Sequence, residues 1–407
     1  MYQQSVVSFG AGCVGRGFLG QLFSESGYAI TFVEIDDPLI AALNARRGYT
    51  LRLVEGEWRE ELTIPVEKTL HSFKEPDDVV QAILSASLVT TSVGTRSLPD
   101  IAPLIAAGIV RRAERAIAAP LNVMICENMQ DASATFQGMV AGHIPTVHRA
   151  YFESHSGLVD VVIGRTIPRP TVDMRAHDCS LIIADGYKEL PVNRPRFVGP
   201  LPNIVGLKPV DNFKAYIDRK LYLHNCGHAI MGYLGYLRGH TFAYEAFEDA
   251  AIYSIVERAF AEAKAGLHDT HGIPEAELDE HITLLLPRLA NRALPDTLIR
   301  LGRDPLRKLS PKDRLVGAAR LAEKAGVSPE ALSWGIAAGY LFDRAEDPSA
   351  VALQRRLTDE GLDIVMADIS GIAKDEPLGR LVVDRYTRLK RGEQSSQHSI
   401  CCLGHTS

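Results

Sequence analysis

A lysine, an amide and an imidazole stand close together in the stretch Lys220-Leu-Tyr-Leu-His-Asn225-Cys-Gly-His228. On an α-helix, a step of about 100° per residue puts Lys220, Asn225 and His228 inside one arc of roughly 140°. Three such groups on one face can serve one reacting oxygen. A lysine takes a hydroxyl proton once its pKa falls from about 10.4 toward neutrality, and a partly dry site beside another positive charge lowers it in that way. Oxidised nicotinamide is such a charge. The same residues also read as a solvated lysine, a locally capping amide and a packed histidine. His224 and His228 have the i, i+4 spacing of a metal pair, but the glutamate of a metalloprotease helix is missing and no third ligand stands out. No metal is expected, and His224 reads as a packing or surface residue.

Hydride chemistry needs a cofactor, and the N-terminus has the pattern for one. Val6-Val-Ser-Phe9-Gly10-Ala11-Gly12-Cys-Val14-Gly15-Arg-Gly-Phe reads as a short strand, a glycine turn and a helix start. In the Gly-x-Gly-x-x-Gly fingerprint, Gly10 makes the tight turn, Gly12 lets the backbone approach a pyrophosphate, and Gly15 lets the helix pack close to the sheet. Phe9, Ala11 and Val14 complete the expected cofactor contacts, and the helix N-terminus offers amide donors to the anion. A second strand, Ala29–Val33, runs into Glu34, at the position where an acid meets the adenosine ribose hydroxyls. The next residues are Ile35, Asp36 and Asp37, without an arginine or lysine for a ribose phosphate. NAD is therefore expected over NADP.

Leu88-Val-Thr-Thr-Ser-Val93-Gly94 reads as a further parallel strand whose end, Val93 and Gly94, would touch the cofactor. Leu121 to Glu127 and Asn128 ends the same way. Asn128 reads equally well as an oxygen-positioning amide and as a turn residue.

Strand-like and helical stretches alternate up to about residue 190, the pattern of an α/β doubly wound sheet. Pro191, Pro195, Pro200, Pro202 and Pro209 then punctuate a polar connection. Beyond it, Phe213–Leu237 and Phe242–Leu267 have helical periodicity, as do shorter pieces led by Ser310, Ser328 and Asp347. Ser328-Pro329-Glu330 looks like a capped helix start. The expected architecture is a Rossmann-type NAD-binding domain over residues 1–195, a mostly α-helical substrate domain over 196–391, and a disordered tail over 392–407.

Composition removes other classes. The chain has 407 residues, 46% hydrophobic and 23% charged, the balance of a globular protein with a sizeable core. A formal charge of -6 gives no general attraction to nucleic acid. No apolar run is long enough to cross a bilayer and the N-terminus lacks the features of a secretion signal, so no membrane partner and a cytoplasmic location are expected. Cysteines 13, 126, 179, 226, 401 and 402 have neither zinc nor disulfide spacing. Cys226, inside the Lys220 segment, reads as a small packing residue.

A basic cluster, Arg300, Arg303, Arg307 and Lys308, bears on the substrate. Arginine holds phosphate through paired hydrogen bonds, so cations around one pocket select an anionic sugar; a solvated basic face is the competing reading.

Together, Phe9 to Phe18, Cys126-Glu-Asn-Met129, Lys220 with Asn225 and His228, and Arg303-Asp-Pro-Leu-Arg-Lys-Leu-Ser310 resemble the mannitol dehydrogenase family, the metal-independent long-chain polyol dehydrogenases, most of all members acting on mannitol 1-phosphate. The resemblance runs from about Val6 to about Leu389. It implies reversible, NAD-dependent oxidation of a hexitol phosphate to a ketose phosphate, with Lys220 as general base and Asn128, Asn225 and His228 positioning the reacting oxygen. It also implies substrate contacts for Arg300 and Lys308, leaving Arg303 and Arg307 as surplus charge. Gly164 departs from the family, which commonly has an aspartate before the arginine found here as Arg165. Glu34 replaces a more usual aspartate. A sister dehydrogenase acting on a neutral polyol or a sugar acid, and a catalytically inactive nucleotide-responsive binding protein, are the alternative readings.

Overall fold

Six runs of the N-terminal half pair into one parallel sheet whose two faces are both covered, one by helices and the other by helices and a second sheet. In this computed structural model, which describes residues 4–129, 131–294 and 296–392, the strands in chain order are β1 (Gln4–Phe9), β2 (Tyr28–Glu34), β3 (Gly48–Glu55), β4 (Trp58–Pro65), β5 (Lys68–His71), β6 (Leu88–Thr91), β7 (Leu121–Ile125), β8 (Ser156–Asp160), β9 (Ile182–Ala184), β10 (Leu190–Asn193) and β11 (Leu207–Val210). The main sheet runs β5-β2-β1-β6-β7-β8. That is the doubly wound order, and the strand order reverses between β1 and β6, where a nucleotide is bound in such sheets.

Alternation along each strand divides the core in two. Val7, Phe9, Val33, Val89, Val123 and Leu158 face one side with Ile83, Ile105 and Phe136 from covering helices. Val6, Phe32, Leu88, Met124 and Val159 face the other, against Phe18, Leu22 and Phe23 and the inner residues Tyr49, Leu51, Ile64 and Ile182 of a second sheet, β4-β3-β9. The β3–β4 hairpin lies between β2 and β5 in the chain. A third sheet pairs β10 with β11 in parallel. This pairing spans the proline-rich connection, so the first compact unit extends to Phe213, past the division expected at residue 195.

The second unit, from Lys214 onward, is helical. Its central helix, Cys226–Leu237, buries Ile230, Met231, Tyr233 and Leu234. Gly232 and Gly235 let the short helix Leu298–Gly302 pack against it, since a Cβ at Gly232 would lie 3.0 Å from Leu301 and Gly302 backbone and one at Gly235 2.7 Å from Leu298. The expected helix from Phe242 is two, Ala243–Glu248 and Ala250–His271, separated where Asp249 accepts the amides of Ala251 and Ile252. Asp347 caps Pro348–Glu360. The helix expected from Ser310 begins at Val316.

The Ser328 start also moves. The helix is Leu332–Tyr340, and a distant carboxylate caps it: Glu262 of Ala250–His271 accepts the amides of Ala331 and Leu332 at 2.7 and 2.9 Å. Of the expected tail only Gly392 is described; Cys401 and Cys402 lie outside the described residues. No helix among the described residues is long and apolar enough to cross a membrane.

Glu262 is buried, and burial pushes its carboxyl up to about 7 against the pull of the two amides. Removing its side chain strands two amides in the helical core. Glu262→Ala is expected to lower the unfolding free energy by about 1–3 kcal/mol in urea titrations. An unchanged midpoint would show that the helix start is held elsewhere.

Candidate active site

In the first unit the cofactor residues gather at the reversal point of the sheet. Gly10 follows β1 with φ +92°, and a Cβ there would lie 2.5 Å from the carbonyl oxygen of Ser92; a Cβ at Gly15 would lie 2.0 Å from the carbonyl oxygen of Gly10. Both positions are closed to a side chain. A Cβ at Gly12 would meet nothing within 4 Å, so the turn is pinned from the sheet side and open above Gly12. Phe9 and Ala11 are buried beneath the turn, and Val14 is half-buried in the core on one side of the sheet. Glu34, at the end of β2, accepts the amide of Ala11 at 2.8 Å through one oxygen and that of Ile35 at 2.7 Å through the other. A tight turn with an open glycine and a carboxylate tied to the turn fits a dinucleotide: pyrophosphate over Gly12, ribose at Glu34.

Val93 and Gly94 lie at the end of β6, but their amides are engaged by buried Glu127, which accepts them at 2.8 and 3.0 Å. Burial pushes this carboxyl up while the two amides pull it down. Contact with a cofactor is left to the Val93 side chain and to Gly94, whose Cβ position is open. Asn128 is exposed just beyond β7. Arg165 is buried and donates to Tyr187 O, Gly17 O and Gln21 Oε1 at 2.7 to 2.9 Å, tying a later segment to the helix that follows the glycine turn. At Gly164 a Cβ would meet the Tyr187 ring at 2.7 Å. The glycine makes room for that ring.

In the second unit the Lys220 segment is not α-helical as expected. The helix Phe213–Arg219 passes into a π-helix, Lys220–Asn225, and returns to α at Cys226. A π-turn hydrogen-bonds i to i+5, so Asn225 comes about one turn above Lys220 rather than well round the helix. His228 then follows as the i+3 neighbour of Asn225. The segment rests on residues 312–317: the Tyr222 hydroxyl donates to Lys312 O at 3.5 Å, and its ring occupies the place a Cβ at Gly317 would take.

The electrostatics of this turn are cationic. Burial, then the Arg314 guanidinium, brings Lys220 down to about 8. Burial, then Arg300 and Arg314, brings His228 down to about 3, and burial with His228 pushes His224 well below the imidazole range. The two rings meet edge to face, 4.7 Å apart. At neutral pH both are uncharged. Cys226 is fully buried, and burial pushes its thiol up, as suits a packing residue.

The four basic residues expected to contact substrate divide. Arg300 is paired with Asp296, which precedes the N-cap Thr297 of its helix. Arg307 is held by Asp304 at 2.7 Å and Asp313 at 3.1 Å. Arg303 is exposed, with no ion pair among the described residues. Lys308 is buried, its Nζ donates to Leu301 O, and burial together with Arg314 and Arg307 brings it down to about 7. Arg314, which motif spacing did not single out, is the cation common to Lys220, His228 and Lys308. It is held at 2.6 Å by Asp313, and only the run of charges around it in the chain hinted at a role.

Family models for the mannitol dehydrogenase Rossmann domain and C-terminal domain match residues 4–206 and 212–389. The mannitol-1-phosphate 5-dehydrogenase of Geobacillus thermodenitrificans (strain NG80-2) is 36% identical over 389 residues, 95% of this chain and 99% of that one. The Geobacillus stearothermophilus enzyme of the same name is 36% identical over 386 residues, covering 94% and 99%. Among solved structures, a substrate-free D-sorbitol dehydrogenase aligns with TM-score 0.79 at 15% identity, covering 96% of each chain. Pseudomonas fluorescens mannitol 2-dehydrogenase, solved with NAD and D-mannitol, aligns with TM-score 0.72 at 16% identity, covering 96% and 92%. These two share the fold, the two Geobacillus enzymes share the sequence over nearly its full length, and with both family models matched this chain belongs to the mannitol dehydrogenase family.

Proposed function

We propose that the chain is an NAD-dependent dehydrogenase that reversibly oxidises a hexitol phosphate to a ketose phosphate, mannitol 1-phosphate to fructose 6-phosphate. The observation that carries the chemistry is Lys220: a lysine brought down to about 8, without a carboxylate partner among the described residues, on the same π-turn as Asn225. NAD, when bound, accepts the hydride from the carbon bearing the hydroxyl. Neutral Lys220 takes the hydroxyl proton as the C–O bond becomes C=O, and gives it back in the reverse direction. The Asn225 amide and the His228 ring stabilise the developing negative charge on oxygen. His228, neutral down to about pH 3, acts as a hydrogen-bond donor and not as the base. Asn128 is retained as a further amide donor.

The phosphate is proposed from charge and from relatedness. From Asp296 to Arg314 the chain carries Arg300, Arg303, Arg307, Lys308, Lys312 and Arg314 against Asp296, Asp304 and Asp313, a surplus of positive charge suited to an anionic polyol. The two Geobacillus relatives are named for mannitol 1-phosphate. A neutral polyol or sugar acid is the second reading; the carboxylates already paired with Arg300, Arg307 and Arg314 favour the neutral polyol. Cys13, Cys126, Cys179 and Cys226 are free thiols, in keeping with a cytoplasmic location.

Rates with NAD on mannitol 1-phosphate, mannitol and hexuronate-derived acids test the substrate. The phosphorylated hexitol is expected to give the highest kcat/KM; a free polyol or sugar acid giving the highest would support the second reading. Lys220→Ala should still bind NADH but lose turnover by roughly 10²-fold or more. Near-normal turnover in the folded variant would remove Lys220 as the base.

The oxidation rate should rise with pH through a midpoint near 8, because only neutral Lys220 accepts a proton. Arg314→Met removes a like charge that favours the neutral amine. The midpoint is expected to rise by about one unit toward the ordinary lysine value. A midpoint unmoved in Arg314→Met would show that burial alone sets the lysine.

A further inference from the structure

The segment from Val172 to Ser180 is laced to the nucleotide edge of the first unit. Arg46 donates to Asp178 at 2.6 Å and to Ser180 Oγ at 2.7 Å. The Cys179 thiol lies 3.7 Å from Pro38 O. Buried Arg16, directly after the glycine fingerprint, donates to Ala11 O at 2.5 Å and reaches the carbonyls of Cys179, at 3.3 Å, and Ser180. The helix Val172–His177 is thereby held beside the end of β2, and its Arg175 places a guanidinium nitrogen 2.5 Å from Asp36 Oδ2.

Asp36 stands two residues after Glu34, where a ribose 2′-phosphate would project in an NADP enzyme. The three residues directly after Glu34 include no arginine or lysine, the ground on which NAD is expected over NADP. The fold supplies one from 139 positions downstream. Its charge is taken up by Asp36, whose other oxygen caps the helix Asp37–Arg46 by accepting the Leu39 amide at 3.2 Å.

We propose that Arg175 is a latent receptor for the 2′-phosphate of NADP, held closed by its ion pair with Asp36. The preference for NAD then has two parts, the carboxylate of Glu34 facing the ribose and the capture of Arg175 by Asp36. An Asp36 without charge would leave Arg175 free to form a charge-assisted bond to the phosphate. This inference rests on the reading of the first unit as an NAD site.

The test is direct binding of NADH and NADPH, followed by nicotinamide fluorescence without substrate. Asp36→Ser removes the charge but keeps an oxygen for the Leu39 amide, and Asp36→Asn serves as the second variant. In either, the dissociation constant for NADPH is expected to fall by about tenfold, the effect of one charge-assisted bond, while that for NADH stays within about threefold of the parent. Adding Arg175→Met should abolish the NADPH gain and leave NADH binding. NADPH affinity unchanged in both Asp36 variants would overturn the proposal, as would an equal gain with and without Arg175. Failure of the parent protein to bind NADH would instead overturn the nucleotide site itself, and the latch with it.

Discussion

In the proposed mechanism Lys220 must be neutral near physiological pH, and that requirement constrains the helical unit more than any other. A carboxylate within a few ångströms would hold Lys220 charged. Three acids of this unit are each engaged elsewhere. Asp218, two residues before Lys220, is buried and takes Lys214 at 2.8 Å and His271 at 2.8 Å. Glu277 takes the Tyr216 hydroxyl at 2.8 Å and Arg219 at 3.6 Å. Asp313 is shared by Arg307 and Arg314. The electrostatic neighbour that Lys220 keeps is the cation of Arg314, which disfavours its protonation.

The same division between engaged and open groups organises the nucleotide half. Glu127 occupies the amides that end β6, the Gly10 and Gly15 positions are closed by backbone oxygens, and Glu34 braces the turn through Ala11. Gly12 is left facing open space. A site whose own polar groups are already satisfied keeps its shape without a ligand, and the binding energy is not spent on ordering it.

Much of this was legible in the chain. The glycine fingerprint, the acid after the second strand and the alternation of strands and helices led to the doubly wound sheet, since each signal is local and repeats at a known period. The lysine, asparagine and histidine were legible as residues, while their geometry was not. Read on an α-helix, Lys220 and Asn225 stand at the two ends of a shared arc of roughly 140°. Their five-residue spacing matches the i to i+5 repeat of a π-turn, and that was the available signal.

What stayed hidden depends on contacts between distant positions. Glu262 caps a helix 69 residues away, so the Ser328-Pro329-Glu330 pattern marked a start that the fold does not use. Arg175 reaches Asp36 across 139 residues, and Arg314 lies beyond the recognised basic motif. The basic motif itself overstated its free charge, because sequence spacing does not show that Asp296, Asp304 and Asp313 fold back onto Arg300 and Arg307.

The ionisation of Lys220 is what the proposed mechanism depends on most. A titration of lysine side chains by NMR, comparing the parent protein with Lys220→Met to assign the resonance, reads it directly in the absence of substrate. A resonance present only in the parent and titrating with a midpoint near 8 is the predicted result. A midpoint near the ordinary lysine value of about 10.4 would contradict the account, because the base would then be charged at neutral pH and unable to take the proton.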